Sequence, residues 1–378
     1  MNFKNILQCA EKTPLVSLDR INDALGTNVV VKLEKFNPGG SIKDRAAIAL
    51  IKKAEIQGYL KPGGTIIESS SGNFAISLAM IGAARGYKVI VLVDPKTTNT
   101  NISLMKAYGA KVVVVEEKDD TGSYHKTRIK QANELAQVIE NSYRPDQCFN
   151  ILSSYAHYES TATEIYEQTK DEADAIVCAV STGGQIGGIS KFYKEKKSSC
   201  KICCVDAFGS GIFSPETYPY KIPGVGLGWT PRNILDVNNI DYVFKIHDES
   251  AFIASRLLCR HEGILCGVSS GAVLLGALKL SISMKSTRPI IAVMGDSGER
   301  YIDTLFNEDW LYENGIDTTN DIFHFKKLIN RIDPPQKSPN IYSNYRDDLI
   351  KELKVPNTTI THFPKIKFTK NHGGLHDL

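Results

Sequence analysis

Short runs of β-branched and aliphatic residues alternate along the chain with longer stretches of helical period. The runs NVVVKLE (28–34), GTIIESS (64–70), KVIVLVD (88–94), KVVVVEE (111–117), AIVCAVS (175–181), KICCVDA (201–207) and PIIAVMGD (289–296) read as strands. Several are apolar at nearly every position, the pattern of parallel strands covered on both faces. Between them the spacing predicts helices over 45–58, 73–86, 100–108, 124–140, 187–196 and 269–280. This alternation predicts an α/β chain with open, mostly parallel sheets. Near residue 312 the pattern lapses into polar, turn-rich sequence, so 315–378 is expected to be a small accessory element or partly disordered.

Composition narrows the function classes. A chain of 378 residues is long enough for two domains. A net charge of +3 gives no reason to expect nucleic acid or an anionic membrane as partner. No apolar run approaches the roughly 18 residues that span a bilayer. The start, MNFKNILQCAEKTP, lacks a long apolar segment and a small-residue cleavage site, so a cytoplasmic location is expected. The eight cysteines do not suggest a disulfide framework in a chain of this length. Cys178, Cys203 and Cys204 fall in strand patterns, and Cys200 with Cys203 makes one CxxC without nearby histidines. No metal is expected there, nor at the loosely spaced His362, His372 and His376.

The candidate chemistry sits where strand patterns give way to helix patterns. In EKFNPGGSIKDRAAIALI, Lys43 stands in the first turn of a helix, where unpaired N–H groups favour an acid over a cation. Ser69, Ser70, Ser71, Gly72 and Asn73 follow a strand and make a nest of N–H donors suited to a carboxylate or phosphate, or a plain serine cap. Ser181, Thr182, Gly183, Gly184 and Gln185 open the next such helix and suit a phosphate. Asp206 follows at the distance of a dinucleotide's ribose ligand, but Thr182 stands where the dinucleotide fingerprint needs glycine, so a nicotinamide enzyme is disfavoured. Gly267, Ser269, Ser270 and Gly271 open an apolar helix with a hydroxyl at its tip. A phosphate cup, a carboxylate nest, a hydroxyl-tipped helix and a lysine whose charge is disfavoured are together what pyridoxal phosphate requires. Its aldehyde condenses with a neutral amine, and a nearby positive helix end lowers an amine's pKa.

These segments resemble the cysteine synthase family, pyridoxal-phosphate enzymes of the tryptophan-synthase-β fold type. The resemblance runs from about Thr13 to Trp310 and rests on TPL (13–15), KLEKFNPGGSIKDRAA (32–47), ESSSGN (68–73), STGGQIGG (181–188), EGILCGVSSGA (262–272) and GDSGERY (295–301). It implies a larger cofactor domain of residues 1–45 and 147–314 and a smaller mobile domain of 46–146, with the cofactor in the cleft between them. It also implies that Lys43 forms the Schiff base and moves protons at Cα, that Asn73 meets the ring hydroxyl, that Ser181 to Gln185 hold the phosphate and that Ser269 meets the ring nitrogen. Ser70, Ser71, Gly72, Asn73 and Phe74 would bind the substrate carboxylate. The implied reaction is β-replacement on an O-activated L-serine through an aminoacrylate, by a homodimer. The alternative in another class is a non-catalytic relative that keeps the fold, against which the retained Lys43, Asn73 and Ser269 argue.

Within the family, VDPKTTNTNISLMKAYGAKVVVVEE and TGSYHKTRI look most like a branch using O-phospho-L-serine. That branch includes the siderophore-pathway N-(2-amino-2-carboxyethyl)-L-glutamate synthase, which uses L-glutamate, and S-sulfocysteine synthases. Arg128 matches an arginine of this branch and would pair with a phosphate leaving group; an exposed helix arginine is the plainer account. The chain departs from sulfide-using relatives at Phe74 and Ala75, where they carry threonine and glycine, and at Cys148, where they carry glutamine before an aromatic residue. Phe149 replaces a tyrosine common in the glutamate-using branch.

Overall fold

The computed structural model describes residues 3–120 and 122–337, together with 353 and 359. Eleven strands form two sheets. They are β1 (Leu15–Ser17), β2 (Val29–Leu33), β3 (Thr65–Ser69), β4 (Lys88–Val93), β5 (Lys111–Val114), β6 (Ser142–Tyr143), β7 (Ala175–Ala179), β8 (Lys201–Ala207), β9 (Tyr242–Ile246), β10 (Ile290–Met294) and β11 (Gln336–Lys337). The seven-stranded sheet has the order β1-β2-β10-β7-β8-β9-β11, parallel throughout except for the two antiparallel edge strands β1 and β11. The four-stranded sheet, β5-β4-β3-β6, is wholly parallel. The chain is thus an α/β protein built on two open, mostly parallel sheets.

The near-continuous apolar runs follow from burial on both faces. In β10, Ile290, Ala292 and Met294 join one core cluster while Ile291 and Val293 join another across the sheet. In β8, Cys203 and Val205 face the first and Ile202 and Cys204 the second, so these cysteines act as small apolar residues. Cys200 and Cys203 lie in different clusters and form no metal pair. Among the described residues no group of three His, Cys, Asp or Glu side chains is placed to hold a metal, and no helix is long and apolar enough to cross a membrane. His362, His372 and His376 lie outside the described residues.

Several elements escape the sequence pattern, among them the helix Asp248–Glu262 and strand β9. Strand β9 carries Lys245 as its fourth residue, which breaks the apolar run; Lys245 is matched inside the fold by an ion pair with buried Asp206 at 2.5 Å. The helix predicted over 187–196 begins a turn earlier, at Gly184–Glu195, because Gly183 caps it in the left-handed region at φ +83°. That pairing also removes Asp206 as a ribose ligand.

Beyond residue 315 the chain forms the helix His324–Asn330 and β11, which docks on the edge of β9. Phe325, Leu328 and Ile329 of that helix are buried in the main core, so this part of the tail is an integral accessory element.

Candidate active site

The helix Lys43–Ile56 begins where the chain leaves β2 for the core of the four-stranded sheet. Its entry is fastened twice. The Asp44 carboxylate accepts the Gly39 N–H at 2.5 Å and the Ser77 hydroxyl at 2.5 Å. The Ile42 N–H donates to the Gly295 carbonyl at 2.9 Å, just past the end of β10. One residue on, Arg45 is fully buried between Glu34 and Glu164, with N–O distances of 2.6 Å to each. Breaking such a network would strand a buried charge, so the start of this helix is held rigidly.

Lys43 points from that start into a cleft of about 670 Å³ between the sheets. Ser69, Ser70, Ser71, Gly72, Asn73, Phe74, Arg128, Ser181 and Thr182 line the same cleft. Gly183, Gly184, Gln185 and Ser269 do not line it, but follow in the chain directly after Thr182 and Val268, which do. Ser269 lies in the first turn of the helix Val268–Met284, and a side chain at Gly295 would come within 3.5 Å of its Oγ. Lys43 and Ser269 therefore converge on the same short segment after β10.

Burial is the leading cause that pushes the Lys43 amine well below its ordinary pKa, against the opposing pull of Asp296. The sequence pattern pointed to the helix end as the cause; desolvation is the larger effect. Among the described residues Lys43 makes no ion pair, so Asp296 acts on it only at a distance and burial prevails.

Asn73, the first residue of the helix Asn73–Arg85, donates from Nδ2 to Asp296 Oδ2 at 2.7 Å. The Arg300 guanidinium donates to Asn73 Oδ1 and to the Gly39 carbonyl. Tyr301 donates to the same Asp296 oxygen at 2.7 Å. Sequence reasoning noted the GDSGERY motif without giving Asp296, Arg300 or Tyr301 a task, because their partner lies in the other half of the chain.

The opposite wall carries Arg128, His125, Gln147 and Cys148. Arg128 is not an exposed helix residue: it is 6% exposed, and its Nε and Nη1 have no hydrogen-bond partner although Asp94 stands at 3.4 Å. His125 Nε2 lies 3.8 Å from the Cys148 sulfur, and its ring meets Trp229 edge-on at 5.0 Å. Burial, with the Arg128 charge nearby, pushes His125 down to about 3, and burial raises the Cys148 thiol far above its usual range. Both are neutral, which leaves Arg128 as the charged group of this wall. Gln147 lines the cleft one position before Cys148, where the family resemblance predicts glutamine.

The residues fit pyridoxal phosphate on grounds internal to the structure. Gln185 Nε2, Ser69 Oγ, Ser270 Oγ and Asp296 Oδ1 are buried polar atoms without partners, gathered around the three loops. Buried polar groups are usually hydrogen-bonded, so these atoms are free to meet a bound group. The glycines of 181–188 divide their tasks. Gly183 supplies the left-handed cap, whereas a side chain at Gly187 would meet the Asn233 carbonyl at 1.8 Å and one at Gly188 the Ser154 carbonyl at 2.2 Å. Those two serve close packing of the helix rather than an anion.

The comparisons agree with this geometry. A family model described as pyridoxal-phosphate dependent enzyme matches residues 6–296. Cystathionine beta-synthase of Dictyostelium discoideum is 35% identical over 361 residues, covering 93% of this chain and 69% of that protein. The crystal structure of an O-ureido-L-serine synthase matches with a TM-score of 0.76 and 32% identity, covering 85% of this chain and 98% of the other. That of a hydrogen sulfide-producing enzyme from Fusobacterium nucleatum matches with a TM-score of 0.74 and 34% identity, covering 80% and 98%.

Proposed function

The chain belongs to the pyridoxal-phosphate dependent enzyme family, in its cysteine-synthase-like branch, and from that premise we propose a β-replacement synthase that takes O-phospho-L-serine in preference to O-acetyl-L-serine and favours L-glutamate as nucleophile. The product is then N-(2-amino-2-carboxyethyl)-L-glutamate, a siderophore precursor. The observation that carries the donor is Arg128, a buried guanidinium on the cleft wall whose Nε and Nη1 make no hydrogen bond, though Nη1 lies 3.4 Å from Asp94. A guanidinium meets a phosphate through two parallel, charge-assisted hydrogen bonds.

Bound in the cleft, pyridoxal phosphate supplies a ring that withdraws electrons from the substrate's Cα and so labilises its proton and its β-substituent. Lys43 holds the cofactor and carries the proton to and from Cα, a task suited to an amine already depressed by burial. Ser181 to Gln185 hold the phosphate with backbone N–H groups at a helix N-terminus. Ser269 offers the ring nitrogen a neutral hydroxyl. Ser70 to Phe74 bind the substrate carboxylate, and Asn73 meets the cofactor's ring hydroxyl in the orientation set by Asp296 and Arg300. Arg128 receives the leaving phosphate while neutral His125 and Cys148 exclude water beside it. In this reading residues 46–146 move against 1–45 and 147–314 to close the cleft, and the enzyme works as a cytoplasmic homodimer.

A sulfur nucleophile is the second reading, as in a cysteine or S-sulfocysteine synthase. It is favoured by likeness to proteins named for cystathionine and hydrogen sulfide chemistry. Purified holoenzyme mixed with each activated serine and, in parallel, glutamate, sulfide and thiosulfate decides by mass spectrometry of the products. The glutamate adduct from O-phosphoserine is expected. Sulfur products alone would move the assignment to the second reading, and no product from any pair would defeat β-replacement.

A further inference from the structure

Leu353 and Thr359 belong to the stretch beyond 315 for which the sequence offered no role, yet both are buried, at 2% and 7% exposure. Leu353 joins Ile129, Cys148 and Phe149 in an apolar cluster of their own, with Trp229 at its edge. This cluster lies apart from the main cores, so Leu353 is a large share of what holds it together. Ile129 follows Arg128 directly, and Cys148 lines the cleft. The Leu353 carbonyl accepts from Nδ2 of fully buried Asn133, one turn further along the helix His125–Val138 that carries Arg128.

Thr359 grips the second part of the same wall. Its hydroxyl donates to Asp146 Oδ2 at 3.3 Å. Asp146 stands just before Gln147 and Cys148, pairs with Arg144 at 2.9 Å, and donates its N–H to Glu68 at 2.7 Å. Glu68 in turn precedes Ser69 at the head of the carboxylate loop. The last described strand, β11, sits on the outer edge of the seven-stranded sheet, whereas both contacts fall on residues beside the four-stranded one.

We propose that Leu353 and Thr359 are positioning residues of the active site: they clamp the Arg128 helix to the Cys148 turn and thereby set the site's affinity for the anionic group of its substrate. The affinity arm rests on the reading that Arg128 receives that group; access to Cys148 does not. In the full-length holoenzyme, Leu353→Ala and Thr359→Val are compared with the unaltered chain and with one ended after Lys337. The readouts are KM and kcat for O-phosphoserine, the cofactor's absorption band, and the rate of iodoacetamide labelling at Cys148 followed by peptide mass spectrometry.

The clamp predicts KM raised about tenfold with kcat held within about twofold, an unchanged cofactor band, and faster labelling of Cys148. Unchanged KM with unchanged labelling overturns it, as does a fall in kcat that tracks cofactor loss, which a merely stabilising tail would give; unchanged KM with faster labelling supports the clamp and overturns the role of Arg128. Should no donor turn over, the failure belongs to the reaction assigned above, and labelling decides alone: faster supports the clamp, unchanged defeats it.

Discussion

Asn73 and Asp296 stand 223 positions apart and share a 2.7 Å hydrogen bond at the floor of the cleft. The bond joins the first residue of the helix after β3 to the turn after β10, and so ties one sheet to the other. Because Tyr301 also donates to that carboxylate and Arg300 to the Asn73 carbonyl oxygen, the amide has one orientation.

Asp296→Ala leaves the Asn73 amide and the Tyr301 hydroxyl without their acceptor, a loss of about 1–3 kcal/mol for buried partners. The expected outcome is pyridoxal-phosphate binding weakened by at least about tenfold, read by titrating the cofactor into the apoprotein. Unchanged cofactor affinity would show that Asn73 needs no such support.

Arg128→Gln removes a charge-assisted fork worth about 1.5–3 kcal/mol to an anion. KM for O-phosphoserine should rise roughly 10- to 100-fold while that for O-acetylserine changes little. Arg128→Lys should restore only part of the loss, since an ammonium lacks the fork. Equal effects on both donors would remove Arg128 from donor selection.

Gly187→Ala puts a methyl group where the Asn233 carbonyl already stands, at 1.8 Å. That carbonyl is itself held by the Ser154 hydroxyl at 2.7 Å and cannot readily retreat. A loss of about 1–3 kcal/mol or more is expected, as for overpacked cores, measured as a lowered urea midpoint. A variant as stable as the parent would refute the packing role of this glycine.

How far the sequence could be read follows from the range of the interactions involved. Lys43, Asn73 and the 181–185 loop announce themselves because each depends on its own strand end and helix start, a local pattern. Asp296 and Arg300 do not, because each acquires its role from a partner far along the chain, and Arg128 is singled out by resemblance alone. Arg128 illustrates the limit: its helix pattern suits an exposed arginine, and only the fold shows it buried. Strand β9 was hidden by Lys245, whose buried partner Asp206 no local pattern reveals. The contacts of Leu353 and Thr359 had no signal at all in a polar, aperiodic tail.

His125 gives the stability a pH dependence of known sign. Its folded-state pKa lies near 3, mainly through burial, against about 6.5 in an unfolded chain. Between those values the unfolded state binds a proton that the folded state refuses, so the contribution of His125 to stability falls as pH drops below about 6.5, while those of the buried Asp44 and Glu68 carboxyls, raised to about 6 and about 7, run the other way. The loss approaches about 1.4 kcal/mol per pH unit, or up to about 2 kcal/mol at pH 5 relative to neutrality. His125→Gln should flatten this part of the profile in urea unfolding at pH 7 and pH 5. A slope as steep as the parent's would place the titration elsewhere.

The most direct test addresses the amine at position 43. Borohydride reduction of the holoenzyme followed by digestion and peptide mass mapping should find the reduced cofactor on Lys43, and Lys43→Ala should abolish both the adduct and turnover. An adduct on another lysine, or none on a cofactor-loaded protein, would contradict the account.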